Sequence, residues 1–455
     1  MKQKTSEQGY TATIASAVRI DSRAGPKLSV AQWSGGLILG FFVSPMALLL
    51  LVIKAPGFTI KRIGITMFCV AYSMTMLLGP STDGTKHLLR AEYFFTGMSF
   101  GEFLQGLVQI FTFEGNRAGM FDPFIHCISY ISFGVFDSQF LFFPLVALVY
   151  GWFFSGSILI ALRSVRLRNI SYSLAFMIAL AILLRGIQDI QAVRMWTAMW
   201  MCVYGVLRYC ETRSVKSLVP IFLAPLVHFS FLIIAPLTLI ILFFRKRRKL
   251  IAWTFLATAV FSVNVTGVDP DSFDRNALLE SRQGYFKSEE DMRSRPSFGE
   301  MAQTTSWHNA ATRTGIPRIG YSILAATILL SGFLAKGRKE DVDILMVGIA
   351  LLAFSNISFG LPALSGRVTL YATTLILLGY IMARTNRVKT QRRLKYPLAY
   401  LVGVNMSILF MLPMLLFSLS TITHYFSAYM FVLPWFVVLE SGANLTVKEF
   451  VYLFL

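Results

Sequence analysis

An all-α, polytopic integral membrane protein with about 12 or 13 transmembrane helices is the fold class this sequence predicts. Three observations predict it. Of the 455 residues, 55% are hydrophobic and only 14% charged, and the mean hydropathy is +0.62. Apolar runs recur from Trp33 almost to the C-terminus, each close to the roughly 20 residues that cross a hydrocarbon core of ~30 Å. The third observation is where the charge falls. The net charge is +19, and 23 of the 42 lysines and arginines stand in short loops at residues 54–62, 163–168, 208–216, 245–249, 336–339 and 384–395. Clustering between spans is what the positive-inside rule produces, so membrane orientation accounts for the charge and no nucleic-acid partner is expected.

Composition also bounds the chemistry. The four cysteines (Cys69, Cys127, Cys202, Cys210) lack metal-type spacing and read as no disulfide framework. The first 30 residues hold no apolar core of signal-peptide length, so the first span is expected to target the chain itself. Residues 1–32 read as a flexible tail, 33–440 as one transmembrane domain, and 441–455 as a C-terminal tail.

In order, spans are expected at 33–53 and 63–79, joined by the basic turn Lys54 to Arg62. A cytoplasmic turn there places the N-terminal tail outside, against that tail's own lysines and arginines. Residues 80–138 carry Asp83, Glu92, Glu102, Glu114, Asp122 and Asp137 against only Lys86, Arg90 and Arg117, and read as an outward loop with amphipathic or re-entrant helices. Spans follow at 139–161, 170–185 and 191–209. Ser217 to Phe244 is only 28 residues between basic clusters, too short for two crossings of about 20 residues each. Broken by Pro220, Pro225 and Pro236, it predicts two half-length helices with His228 and Ser230 at their turn. Non-helical backbone at that depth needs protein or a water-filled cavity around it. A span at 250–266, a second outward loop at 267–316, and spans at 317–335, 341–358, 367–383, 397–418 and 424–440 complete the chain.

The candidate functional residues are charges set in otherwise apolar sequence, where each costs several kcal/mol unless compensated. Arg185 and Asp189, four apart, share a helix face and can pair; the competing reading is an interfacial salt bridge. Arg194 is nine residues beyond Arg185 and would face the other way on an unbroken helix. The polar run RGIQDIQAVR favours a break near Gly186 to Gln191. His228 in LVHFSF could be a base or a donor to an anionic group, or a satisfied structural histidine. Arg367 opens a span after an outer turn in LPALSGRVTLY, where an anionic ligand or simple interfacial anchoring would explain it. Asp83 and His87 in STDGTKHLLR are spaced to act as base and orienting partner toward a hydroxyl, though a capped helix start explains the same letters. The pairs Asp269/Asp271 and Asp341/Asp343 lack further ligands, and no nucleotide or serine-hydrolase motif is present, so no metal or other cofactor is expected.

The order of short motifs resembles the EpsG/Wzy-like family of bacterial polysaccharide polymerases. TD(x3)H(x5)YF after the second span is followed by DPFIHCISYISFGVFDSQFLFF, AVRMWTA, a hairpin with HFS, a loop with QGYF and a late SGR(x3)Y, over residues 65 to 385. The resemblance implies a multi-pass, glycosyltransferase-C-like enzyme of the bacterial cytoplasmic (inner) membrane. Such an enzyme joins polyprenyl-diphosphate-linked oligosaccharide repeats at the outer face, in the company of a flippase and a chain-length regulator. The family positions fall on Asp83, Arg194, His228 and Arg367; Asp83 stands in STDGTKH rather than the commoner GTD form. On this reading Arg194 and Arg367, with Arg185, hold diphosphate while Asp83 or His228, with His87 beside Asp83, activates or orients the acceptor. The alternatives are a flippase or exporter of lipid-linked or free polysaccharide and a membrane sugar acyltransferase using His228. The large outward loops and the lack of an obvious internal repeat favour the polymerase.

Overall fold

The computed structural model describes residues 29–80, 82–112, 114, 119–166, 170–261, 297–334, 337–358, 361–389, 394–431, 433–437 and 445–454. Among these the architecture is all-helical, with one isolated bridge between Ser427 and Thr446. The SRQGYF segment at 281–286 and the Asp269/Asp271 pair lie outside the described residues.

Where one span was expected at 33–53, the chain builds a helical hairpin. α1 (Val30–Val43) and α2 (Pro45–Lys54) meet at Ser44, whose extended backbone and side-chain acceptor for the Ala47 N–H start the second helix. Pro45 has no N–H to carry the first helix onward and suits the first position of the next. A Cβ on Gly40 would stand 3.1 Å from the Leu48 Cα, and Val52 and Leu37 both crowd Gly64 of α3 (Phe58–Thr75). These pairings are antiparallel, so Ser29 returns to the same end as Lys54. Ser29, the first described residue, therefore stands at the end of the hairpin that carries the basic turn from Lys54.

α4 (Asp83–Phe95) and α5 (Phe100–Phe111) follow, capped by Thr82 and by a Ser99–Glu102 capping box. α6 (Pro123–Ser129) widens into a π-helical turn at Tyr130–Val135. α7 (Phe142–Leu162) packs antiparallel on α3, with Gly151 against Thr66 and Cys69, and Gly156 near Arg62. α8 (Tyr172–Leu183) stops at the expected break, a 3-10 turn spans Ile187–Ala192, and α9 (Met195–Thr212) begins after Arg194. From Met195 to Leu207 α9 is buried at nearly every position, which makes it the central helix.

α10 (Val219–Val227) and α11 (Phe231–Phe244) form the expected half-length pair, turning at His228 to Ser230. At 1.5 Å per residue they are roughly 14 and 21 Å long. α12 (Arg248–Phe261), the short α13 (Phe298–Thr304) and α14 (Trp307–Arg313), α15 (Ile316–Leu330), α16 (Lys339–Ile357), α17 (Pro362–Lys389) and α18 (Pro397–Tyr425) complete the bundle, with α16 on α17 and α15 on α18. The span expected at 424–440 does not form among the described residues. After Tyr425 the described chain makes a 3-10 turn at Ala428–Phe431 and one short helical turn at 435–437, and Val447 and Ala428 bond through their backbones with Phe426 and Leu445, each at 2.9 Å. The region expected as a tail thus pairs back and carries α19 (Val447–Tyr452).

Against the 12 or 13 spans expected, four helices among the described residues are long and apolar enough to cross a membrane by length and composition: Gln139–Leu162, Tyr172–Ala192, Pro362–Asn386 and Pro397–Tyr425. Several others are apolar but shorter. Large apolar side chains such as Leu39, Leu50, Phe243, Trp253, Leu398 and Leu409 are exposed on the rim, which is consistent with a membrane protein.

Candidate functional site

The two ends of α9 are chemically different. Its 18 residues put roughly 27 Å between Arg194 and Arg213. At the Arg213 end, Asp343 lies 2.6 Å from Arg213, 3.2 Å from Arg245 and 4.0 Å from Arg248, while Glu211 pairs with Arg163 and, at 2.8 Å, with Arg208. The basic loops thus gather at one end. Asp341 accepts from Asn386 at 2.7 Å, so both aspartates of that pair are committed to cationic or amide partners. Among the described residues no group of three histidines, cysteines or carboxylates could hold a metal.

The Arg194 end is built by the helix break. Val193 sits at φ 53°, ψ −61° and closes a three-residue turn in which the Arg194 N–H donates to the Ala192 carbonyl at 2.6 Å. A β-branched residue in that region is strained, and the strain is held by the packing around it. The turn removes Arg194 from the helical register of Arg185. Its guanidinium reaches back to α6 and forms an ion pair with Asp122, whose side chain is fully buried. Asp122 stands at the N-cap position before Pro123 but makes no side-chain bond to its own helix. Its other oxygen accepts the Phe229 N–H at 2.6 Å.

That second bond joins the ion pair to the tip of the half-length hairpin. At the tip the Ser230 N–H donates to Nδ1 of His228 at 3.0 Å, and the Ser230 hydroxyl accepts from Arg367, at the start of α17. With Nδ1 accepting, the neutral imidazole carries its proton on Nε2, which makes His228 a donor there. Arg194, His228 and Arg367, far apart in sequence, are therefore linked through Asp122, Phe229 and Ser230.

Arg185 belongs to the same turn but to a different set of contacts. It pairs with Asp189 at 3.3 Å and lies 3.8 Å over the Trp196 ring. Its carbonyl accepts from the Tyr150 hydroxyl at 2.8 Å and from the Trp200 indole at 3.0 Å. No hydrogen bond connects its side chain to Asp122.

Asp83 and His87 approach from α4. The helix packs so closely on the 3-10 turn that a Cβ on Gly84 would stand 3.1 Å from the Gln191 carbonyl oxygen. Thr82, not Asp83, caps the helix, and Asp83 is exposed and makes no hydrogen bond among the described residues, His87 included. Burial, the charge of Arg194 and that of Arg90 bring the His87 imidazole down to about 3, so it is neutral at physiological pH.

Sequence reasoning passed over Asp122, because an aspartate before proline at a helix start reads as an ordinary cap. Its signal was its place at the head of an apolar stretch, DPFIHCISYISF, that itself holds no lysine or arginine. No protein-family profile matches this sequence, and no characterised protein or solved structure is significantly similar to it.

Proposed function

We propose that this chain is a multi-pass glycosyltransferase of the bacterial cytoplasmic membrane, a polymerase that joins polyprenyl-diphosphate-linked oligosaccharide units at the outer face. The observation that carries the reading is the linked series Arg194, Asp122, the His228–Ser230 turn and Arg367, at the opposite end of the central helix from the basic loops. By the positive-inside rule the basic end is cytoplasmic, so the series faces outward.

Joining two units transfers a growing saccharide from its lipid diphosphate to a hydroxyl of the incoming unit. The acceptor oxygen bonds to the anomeric carbon, the bond from that carbon to the diphosphate oxygen breaks, and the acceptor proton goes to a base. The leaving group is an anion, and guanidinium forks match its oxygens. Asp122 engages one of Arg194's donors and keeps that cation in place at an apolar depth, where an isolated charge is costly. The exposed, unbonded carboxylate of Asp83 suits the base, and the Nε2–H of His228 suits a donor to a diphosphate or sugar oxygen.

The test is chain growth in vitro, with purified protein, a polyprenyl-diphosphate oligosaccharide and a gel readout of product length. Wild type should extend the substrate, while Arg194→Ala and Arg367→Ala should not. Unchanged growth in both variants would remove the diphosphate clamp, and no growth by any form would remove the polymerase.

A further inference from the structure

The turn between α11 and α12 carries five consecutive cations, Arg245 to Lys249. Two of them reach Asp343, Arg245 at 3.2 Å and Arg248 at 4.0 Å, beside Arg213 at 2.6 Å. One carboxylate thus serves three arginines. The other acids of this end are engaged as well: Glu211 by Arg163 and Arg208, Glu340 by Arg338, and Asp341 by Asn386. Lys246, Arg247 and Lys249 are exposed and form no ion pair among the described residues.

The surface on either side of the turn is apolar. α11 and α12 both pack on α16 and turn their opposite faces outward. On α11 the exposed positions Ile233, Pro236, Ile240 and Phe243 follow one stripe. On α12 the stripe starts at Lys249 and runs through Trp253, Ala257 and Val260. Phe243 and Trp253, nearest the turn, are 79% and 72% exposed. Hydrocarbon presented so openly is suited to lipid and not to water. Tryptophan favours the boundary between acyl chains and headgroups. Lys249 stands about one helical turn from Trp253, so its long stem brings the ammonium to headgroup level.

We infer that this turn binds an acidic phospholipid of the leaflet on the basic side. Lys246, Arg247 and Lys249 hold its phosphate, and its acyl chains lie along the stripes of α11 and α12. The excess of cations decides the headgroup. Phosphatidylcholine cancels its phosphate with its own ammonium, whereas phosphatidylglycerol presents a net anion. Each cation at such a surface favours the anionic lipid by about fivefold at low salt. The site lies at the opposite end of α9 from Arg194 and is independent of glycosyl transfer.

The test uses Trp253 as the reporter. Full-length protein is placed in phosphatidylcholine vesicles in which a minor share of the lipid is phosphatidylglycerol or phosphatidylcholine brominated near the headgroup end of its chains, and tryptophan quenching is measured. Brominated phosphatidylglycerol should quench more than the same share of brominated phosphatidylcholine, and the difference should vanish in Trp253→Phe. The triple variant Lys246→Gln/Arg247→Gln/Lys249→Gln should lose most of the preference, and Lys249→Gln alone, losing about fivefold, serves if the triple variant does not fold. Lys54→Gln/Lys61→Gln, which removes charge from a different basic turn, should keep the preference. Equal quenching by the two lipids in wild type would overturn the site. So would an equal loss in the Lys54/Lys61 variant, which would mean diffuse attraction to the whole basic end, or a preference that survives in Trp253→Phe, which would place the lipid elsewhere.

Discussion

Asp122 and Arg194 form an ion pair across 72 positions of sequence, the carboxylate fully buried and the arginine largely so. The pair ties α6 to the break before α9, and the Phe229 N–H ties both to the half-length hairpin. Removing the carboxylate would strand a cation and a backbone donor together. Asp122→Ala is expected to cost about 3–5 kcal/mol. Asp122→Asn, which keeps an acceptor for Phe229, should cost less, and adding Arg194→Gln to it should recover part of the loss. Thermal unfolding in detergent measures all three, and an alanine variant as stable as wild type would mean the pair does not organise this end.

Arg367 meets the Ser230 hydroxyl through one arm of its fork. Arg367→Lys keeps the charge and loses the planar arrangement of donors, so chain growth should slow by about tenfold or more, roughly 1.4 kcal/mol of transition-state stabilisation. Growth at the wild-type rate would show that charge alone suffices.

The hairpin of α1 and α2 makes a topological prediction. Ser29→Cys and Lys54→Cys should react with a membrane-impermeant maleimide from the same side, and Lys86→Cys from the other. Labelling of positions 29 and 54 from opposite sides would replace the hairpin with a single crossing.

His87 supplies a pH dependence. Its folded value of about 3 lies below its ordinary 6.5, so between these values the unfolded chain binds more protons. Its contribution is full above pH 6.5 and is lost as pH falls through that window. Wild type should therefore melt lower in mildly acidic than in neutral buffer, and His87→Gln should narrow the gap. An unchanged gap would mean that the ring takes up its proton in the folded protein.

Two elements were legible because counting decides them. The 28 residues from Ser217 to Phe244, with three prolines, cannot cross twice, and they form two short helices turning at His228 to Ser230. Arg185 and Arg194 fit one end only if the helix breaks, and the polar run between them becomes a 3-10 turn with Val193 at positive φ. The run 33–53 was not legible in this way. Its length suits one crossing, and Ser44–Pro45 reads equally as a kink; packing of Leu37 and Val52 on Gly64 turns it into a hairpin.

The sequence by itself determined the all-helical class, the segregation of charge into loops and the positions where helices must break. These follow from local hydrophobicity, proline chemistry and the length of a crossing. Only the tertiary structure decided that Asp122 partners Arg194 and that Ser230 meets Arg367. A buried charge must be compensated, but compensation can come from any residue that packing brings near, and the sequence around Asp122 does not say which.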